Sequence, residues 1–246
     1  MILSRVFPGK VVSLDLESSD ARDRLADLYR PPHHEWLRLN LIASVSGGAT
    51  GSDGTSETLT NPADRKLLGV IRSLADVVLV GAASVRAEGY FVPRHAALAV
   101  VTSSGDLSGH RITATGERGP LLVLCPAKSV KKAQSTVGSA TVRIIAVDDA
   151  EGILSAPDIV GALRAEGFAS IVSEGGPALA AHLLHGGVVN ELCLSTSPTL
   201  NGARIPAFGS AETADRPLKL HQLMVDDASG VYARWLVAGA SAVTAD

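Results

Sequence analysis

The sequence predicts an α/β protein: a mostly parallel sheet flanked by helices, with antiparallel strands towards the C-terminus. Three observations carry this. Between residues 77 and 184 short apolar runs alternate with helical patterns, and strands buried on both faces read as continuous apolar runs. Two helix starts are marked by a proline in the first turn, after Asn61 and after Gly176. After Leu184 the helical patterns stop and strand patterns follow one another, the last two split by the turn Asp226-Asp227-Ala228-Ser229-Gly230.

Taken in order, residues 1–35 are a lead-in expected to pack on the main body. They hold a short edge strand at 11–14 and an amphipathic helix at 20–29, capped by Ser19 and stopped by Pro31-Pro32. Residues 36–44 (WLRLNLIAS) alternate and then turn wholly apolar, as a strand does that starts near solvent and ends buried. Its polar Asn40 faces either solvent or a ligand crevice. Residues 46–56 form a glycine-rich loop in which Asp53-Gly54 signals a hairpin turn. Asn61 then caps a helix with Pro62 at its first position and a stripe of Leu67, Leu68, Ile71 and Leu74. Further strands are expected at 77–80, 97–101, 121–125, 142–147 and 170–172. Helices are expected at 128–137, at 157–166, where Gly167 suits the left-handed position past the end, and from Pro177 to 184. The final strands are 191–197, 218–225 and 231–236. No internal repeat or linker is visible, so the 246 residues read as one domain.

Composition narrows the partners. A formal charge of −3 gives no field to gather nucleic acid or an anionic membrane. No apolar run approaches the roughly 20 residues of a membrane span, and Arg5, Pro8 and Lys10 interrupt any signal-like start, so a soluble cytoplasmic protein is expected. Cys125 and Cys193 stand far apart and read as small buried hydrophobes in strands.

The stretch Ile171-Val172-Ser173-Glu174-Gly175-Gly176-Pro177 is the chemically suggestive one. Adjacent glycines let a ligand approach the backbone, and a helix start offers free N–H groups and partial positive charge to a phosphate. A tight packing turn with no ligand fits the same residues, so the junction alone leaves both readings open. Gly81-Ala82-Ala83-Ser84-Val85-Arg86 is a second strand-to-helix junction, and Thr102-Ser103 ends a third strand. In open α/β sheets ligands lie outside the carboxyl ends of strands. Several standard motifs are missing, although a dinucleotide can bind by an arrangement other than the Rossmann one. No G-x-G-x-x-G follows a strand, no Gly-Lys-Ser/Thr ends the glycine loop, and no Gly-x-Ser-x-Gly elbow occurs. His33 and Glu35 match half of a deaminase zinc motif, but no Pro-Cys-x-x-Cys follows. His182 and His185 are one helical turn apart without a third ligand, so no metal is expected.

Together the motifs resemble a family. They are Asn40-x-x-x-Ser44 with Gly47, Arg72-x-x-Ala75-Asp76 before Val80-Gly81, Ser84-Val85-Arg86-x-x-Gly89-Tyr90, Glu174-Gly175-Gly176-Pro177 and Pro198-x-Leu200-x-Gly202. Across residues 36–235 the chain resembles the reductase domain of bacterial riboflavin biosynthesis, a relative of dihydrofolate reductase. The resemblance implies a dihydrofolate-reductase-like sheet, commonly a homodimer, and NADPH-dependent reduction of a phosphoribosylaminopyrimidine, 5-amino-6-(5-phosphoribosylamino)uracil or its equivalent, to a ribityl product. The deaminase domain often fused to that reductase has no counterpart in these residues.

By motif, the resemblance places Gly175, Gly176 and Pro177 on the cofactor diphosphate. It places Gly81, Ala82, Ser84, Val85 and Arg86 along its other side, and Thr102 and Ser103 near the adenosine 2′-phosphate. Asn40, Ser44, Ser46, Ser56 and Glu174 would face the pyrimidine or its ribose, with Glu174 and Asp64 as the catalytic carboxylates. Asp64 resembles the carboxylate that protonates folate; a role in stabilising the helix dipole explains it equally well. One departure stands out: the family's Ser-Leu-Asp-Gly is here Ser44-Val45-Ser46-Gly47, so a hydroxyl replaces a carboxylate. Two other functions therefore stay open, reduction of dihydrofolate or another pterin, and NADP binding without catalysis.

Overall fold

The computed structural model describes residues 1–113, 118–138, 141–148, 150, 152–202, 204–209 and 215–238. The chain opens with β1 (Ile2–Phe7), β2 (Val12–Asp15), α1 (Ala21–Tyr29) and β3 (Trp36–Ser44). It continues with α2 (Pro62–Ser73), β4 (Val77–Gly81), α3 (Ala82–Ala87), β5 (Tyr90–Phe91), β6 (Ala97–Val101) and β7 (Ile112–Thr113). Then come β8 (Leu121–Pro126), α4 (Val130–Val137), β9 (Val142–Val147), α5 (Ala156–Ala165), β10 (Ser170–Gly175) and α6 (Pro177–His185). The last strands are β11 (Glu191–Ser197), β12 (Leu218–Asp226) and β13 (Val231–Val237).

Among the described residues eleven strands form one sheet in the order β2-β1-β12-β13-β11-β3-β10-β4-β6-β8-β9. From β11 to β9 every neighbouring pair is parallel; from β11 outward through β13, β12, β1 and β2 every pair is antiparallel. The expected class, a mostly parallel sheet with antiparallel strands at one side, is the one observed. Two apolar layers cover one face at its two ends, one around α1 and α2 and one around α3 and α4. A third lies under α5 and α6 on the other face. Leu37, Leu39, Leu79 and Leu98 are wholly buried, each such side chain contributing roughly 1.5–3 kcal/mol.

Several expectations need correction. Residues 2–7 were not expected to be a strand, yet β1 pairs with β12, so the N-terminal hairpin, not the C-terminal pair, forms this sheet edge. Asp20, not Ser19, occupies the N-cap of α1, and no side chain bonds there. Asp53-Gly54 makes no hairpin: the Asp53 carboxylate accepts from the Thr55 N–H, the Thr55 hydroxyl and the Thr58 hydroxyl, curling the loop on itself. A one-turn 3-10 helix, Ala127–Ser129, precedes α4. A separate two-stranded parallel ribbon, β5 with β7, was not anticipated either.

The lead-in is docked by a buried ion cluster. Glu191 on β11 accepts from Arg38 Nε (2.8 Å), Arg234 Nε (2.5 Å) and Trp36 Nε1 (2.9 Å). Both guanidinium groups also lie over the Tyr29 ring and donate to the last carbonyls of α1, Arg38 to Tyr29 and Arg234 to Leu28. Cations at a helix C-terminus complement its dipole, and one carboxylate shared by two guanidiniums offsets part of their desolvation. Burial opposes the charge on Glu191, but the two arginines outweigh it and hold its carboxyl below the usual range. Cys193 and Cys125 are free and buried in strands, as expected. No helix among the described residues is long and apolar enough to cross a membrane.

Candidate active site

Two strand-to-helix junctions meet at the carboxyl ends of β10 and β4, which are neighbours in the sheet. β10 ends at Gly175 (φ +72°), Gly176 (φ +76°) is the N-cap of α6, and Pro177 opens the helix. Beside it Gly81 caps α3, which begins at Ala82. The Ser84 hydroxyl donates to the Gly175 carbonyl at 3.2 Å and ties the junctions together. Both glycines are required by shape: a Cβ on Gly176 would come within 2.5 Å of Ser84 Oγ, and one on Gly175 within 3.1 Å of Leu41 Cδ2. A bare backbone framed by helix starts suits a phosphate-bearing ligand. Ala82 and Val85 are buried, Val85 fully, and Arg86 is exposed with its guanidinium donating to the Asp106 carbonyl. One strand further, register sets Val101 beside Gly81, so Thr102 and Ser103 follow at the same level. The Thr102 hydroxyl is buried and accepts from the Gly105 N–H, while Ser103 is exposed.

A second group lies on the face covered by α2. Parallel register sets Ser173 beside Leu39, bringing Glu174 level with Asn40 on the neighbouring strand. The Glu174 carboxylate is gripped by Arg72 of α2 through Nε (2.5 Å) and Nη2 (2.6 Å), a bidentate pair of the strong kind. Tyr90 stands beside it, its hydroxyl pushed up by burial and by the charge on Glu174. Burial lowers and Glu174 raises the affinity of Arg72 for its proton, and the carboxylate wins. Glu88 accepts from the Ser56 N–H at 2.9 Å, anchoring the glycine-rich loop next to this cluster.

Asn40 and Asp64 line a cavity of about 10 Å3, with Ser195 and Tyr232 among its other walls. That is room for one water molecule between polar partners. Asp64 sits in the first turn of α2, where the Asn61 side chain caps the helix by accepting from the Asp64 N–H at 2.9 Å. Burial raises the Asp64 carboxyl above the usual range and the charge of Asp226 pushes the same way. Hydrogen bonds from Ser195 and Thr60 (2.8 Å) and the nearby Arg65 reduce that shift without reversing it. Such a group retains a proton to higher pH than an ordinary aspartate and can deliver it.

Ser44 and Ser46 occupy a third place. Their hydroxyls lie 3.0 Å apart. The Ser46 hydroxyl also donates to the Asn201 carbonyl and accepts from the Asn201 N–H at 3.2 Å, while Asn201 Nδ2 donates to the Thr50 carbonyl. Ser46, the residue at which the resemblance implied a carboxylate, thus joins the loop after β3 to the segment after β11. Ser195, Tyr232, Asp226 and Asn201 were not singled out from the sequence. Their contacts with Asp64, Ser46 and Asn61 cross 131 to 171 residues, and no local pattern marks them. The pairing of Arg72 with Glu174 crosses 102 residues, although both lie within motifs that carried the resemblance.

Comparison with known proteins bears on this arrangement. The family model of the RibD C-terminal domain matches residues 35–230. The chain belongs to that family. Among solved structures it is similar to a pyrimidine reductase-like protein from Corynebacterium diphtheriae (20% identity, 87% of this chain and 98% of that one, TM-score 0.67). It is similar to the diaminohydroxyphosphoribosylaminopyrimidine deaminase/5-amino-6-(5-phosphoribosylamino)uracil reductase of Thermotoga maritima (17% identity, 83% of this chain and 57% of that one, TM-score 0.66). It is also similar to the riboflavin biosynthesis reductase Rib7 of Saccharomyces cerevisiae (14% identity, 89% and 100%, TM-score 0.62). Likeness at these identities speaks for the fold. No curated protein matches the sequence.

Proposed function

We propose that this RibD C-terminal domain protein is an NADPH-dependent reductase of the riboflavin-pathway type, acting on 5-amino-6-(5-phosphoribosylamino)uracil or its closest equivalent. Its 246 residues read as one reductase domain with residues 1–35 packed on it, acting as a homodimer. The observation that carries the reading is the side-chain-free cradle of Gly175 and Gly176, framed by the starts of α6 and α3 and tied by Ser84. The support for a diphosphate is the glycine-only backbone at the start of α6, since a helix N-terminus offers free N–H groups to an anion. NADPH, when bound, supplies the hydride. The chain's own residues do the rest. Gly175, Gly176 and Pro177 with Gly81 and Ala82 seat the diphosphate, and Arg86, Thr102 and Ser103 meet the adenosine end. Asn40, Ser56 and Glu174 orient the pyrimidine and its ribose, Glu174 being held in place by Arg72. Asp64, its carboxyl raised above the usual range by burial, faces the water-sized space beside Asn40 as the proton-holding group of the site.

The test is single-turnover oxidation of NADPH with the phosphoribosylaminopyrimidine, with the ribityl product identified by mass. Oxidation with that substrate and not with dihydrofolate is expected; oxidation with dihydrofolate alone would move the assignment to a pterin reductase. A second reading rests on Ser46. Its hydroxyl is engaged with Asn201 where the family offers a carboxylate, which favours an NADP-binding protein without turnover. Cofactor binding with no oxidation on either heterocycle supports that reading.

A further inference from the structure

The turn between β12 and β13 is wired to the start of α2. Asp226 Oδ2 accepts from Asn61 Nδ2 (2.8 Å) and from the Tyr232 hydroxyl (2.6 Å), and Asp226 Oδ1 accepts from the N–H groups of Ala228 (2.9 Å) and Gly230 (2.7 Å). The Tyr232 hydroxyl also lies 3.0 Å from Asn61 Oδ1, the atom that accepts the Asp64 N–H. Asn61, Asp226 and Tyr232 thus form a closed triangle directly before Asp64, and Tyr232 lines the cavity that Asp64 faces. The turn is packed closely on the triangle: a Cβ on Gly230 would meet Tyr232 Oη at 2.7 Å and Asp226 Oδ2 at 2.8 Å. An N-cap needs only one side-chain acceptor. Here the cap carries in addition a carboxylate with four donors, which a cap alone does not need.

We propose that the Asn61–Asp226–Tyr232 triangle is a positioning device for Asp64, fixing the helix start on which that carboxyl rides and holding a second carboxylate behind Asn61, which bonds both Asp226 and the Asp64 N–H. The inference rests on the proposed role of Asp64 as proton holder. Burial works against ionisation of Asp226, but its bonds from Tyr232, Gly230, Asn61 and Ala228 hold its carboxyl below the usual range. The charge on Asp226 opposes ionisation of Asp64, adding to the larger effect of burial and working against the bonds from Ser195 and Thr60. The other titratable or charged groups around Asp64 are Arg65 on its own helix, Tyr29 from α1, Cys193 from β11 and Tyr232 from β13. Of these Arg65 alone carries a full charge at neutral pH, and it acts in the opposite direction.

The experiment is a carboxyl carbon NMR titration of Asp64 in the full chain, for the parent, Asp226→Asn, Asp227→Asn and Tyr232→Phe, with thermal unfolding run on each. Asp227 is the exposed neighbour in the same turn and controls for general charge. The expected result is a midpoint shifted to lower pH in Asp226→Asn and unmoved in Asp227→Asn. Tyr232→Phe removes a donor from Asp226 and leaves its charge less compensated, so its midpoint moves to higher pH. That variant carries the test if Asp226→Asn does not fold. Unmoved midpoints in Asp226→Asn and Tyr232→Phe overturn the proposal, as does an equal shift in Asp226→Asn and Asp227→Asn. The titration needs no cofactor or substrate, so its failure is distinct from failure of the reductase assignment, which the turnover assay reads.

Discussion

Gly176→Ala is the substitution that reads the cradle most sharply. Gly176 sits at φ +76°, ψ 148°, a region that only glycine occupies readily, so placing alanine there costs about 1–3 kcal/mol. The new Cβ would also lie 2.5 Å from Ser84 Oγ. Ser84 must rotate away and give up its 3.2 Å bond to the Gly175 carbonyl, a further loss of about 1 kcal/mol. The sum is about 2–4 kcal/mol, or roughly 5–12 °C in Tm for a chain of this size. Urea unfolding measures the first quantity, and a fluorescence titration with NADPH measures the consequence at the site. Introducing Gly176→Ala into a Ser84→Ala background separates the two parts, because the collision is then gone and the backbone strain remains. The double mutant should lose about 1 kcal/mol less than the sum of the singles. An alanine at 176 that leaves stability within about 0.5 kcal/mol would refute the conformational argument. Lost stability with unchanged NADPH affinity would refute the assignment of this junction to the diphosphate.

Three further outcomes follow from particular side chains. Glu191→Gln leaves two buried guanidiniums without a counter-charge and should cost about 3–5 kcal/mol in urea unfolding. Because the Glu191 carboxyl is held below its ordinary 4.5, its contribution is complete above that pH and is lost as pH falls through the folded value. The variant should therefore show a flatter acid limb. Asp64→Asn works with the opposite sign. The folded carboxyl lies above its ordinary 3.8, so its favourable contribution is complete below 3.8 and is lost as pH rises through the folded value. The asparagine variant should be the more stable protein at pH 8, lose that advantage towards pH 3, and turn over more slowly throughout. Ser46→Asp tests whether the missing carboxylate limits chemistry. It should raise turnover of the phosphoribosylaminopyrimidine while losing about 1 kcal/mol of stability as the bonds to Asn201 are broken. Unchanged turnover would remove Ser46 from the account.

The parallel half of the sheet was legible: β6 is a continuous apolar run, β3, β9 and β11 mix apolar with polar positions, and all four fall on the expected residues. Asn61-Pro62 gave the start of α2, since an N-cap acceptor followed by proline has few other uses. Gly167 adopts the left-handed conformation expected past α5. The N-terminal strand was not legible. Arg5 interrupts it and Ile2, Val6 and Phe7 are exposed although β1 lies between β2 and β12, so neither alternation nor an apolar run appears. At the site the glycine cradle was readable because shape alone requires glycine. The carboxylate environments were not, since the partners of Glu174 and Asp64 arrive from α2, β11 and the β12–β13 turn across large sequence separations.

The account stands on cofactor binding at the joined ends of β10 and β4, and fluorescence titration of the purified protein with NADPH beside NADH tests it most directly. Saturable binding that favours NADPH and is weakened by Gly176→Ala is the result the account predicts. Absence of binding by either nucleotide would contradict both the reductase and the NADP-binding readings and leave a family likeness of fold alone.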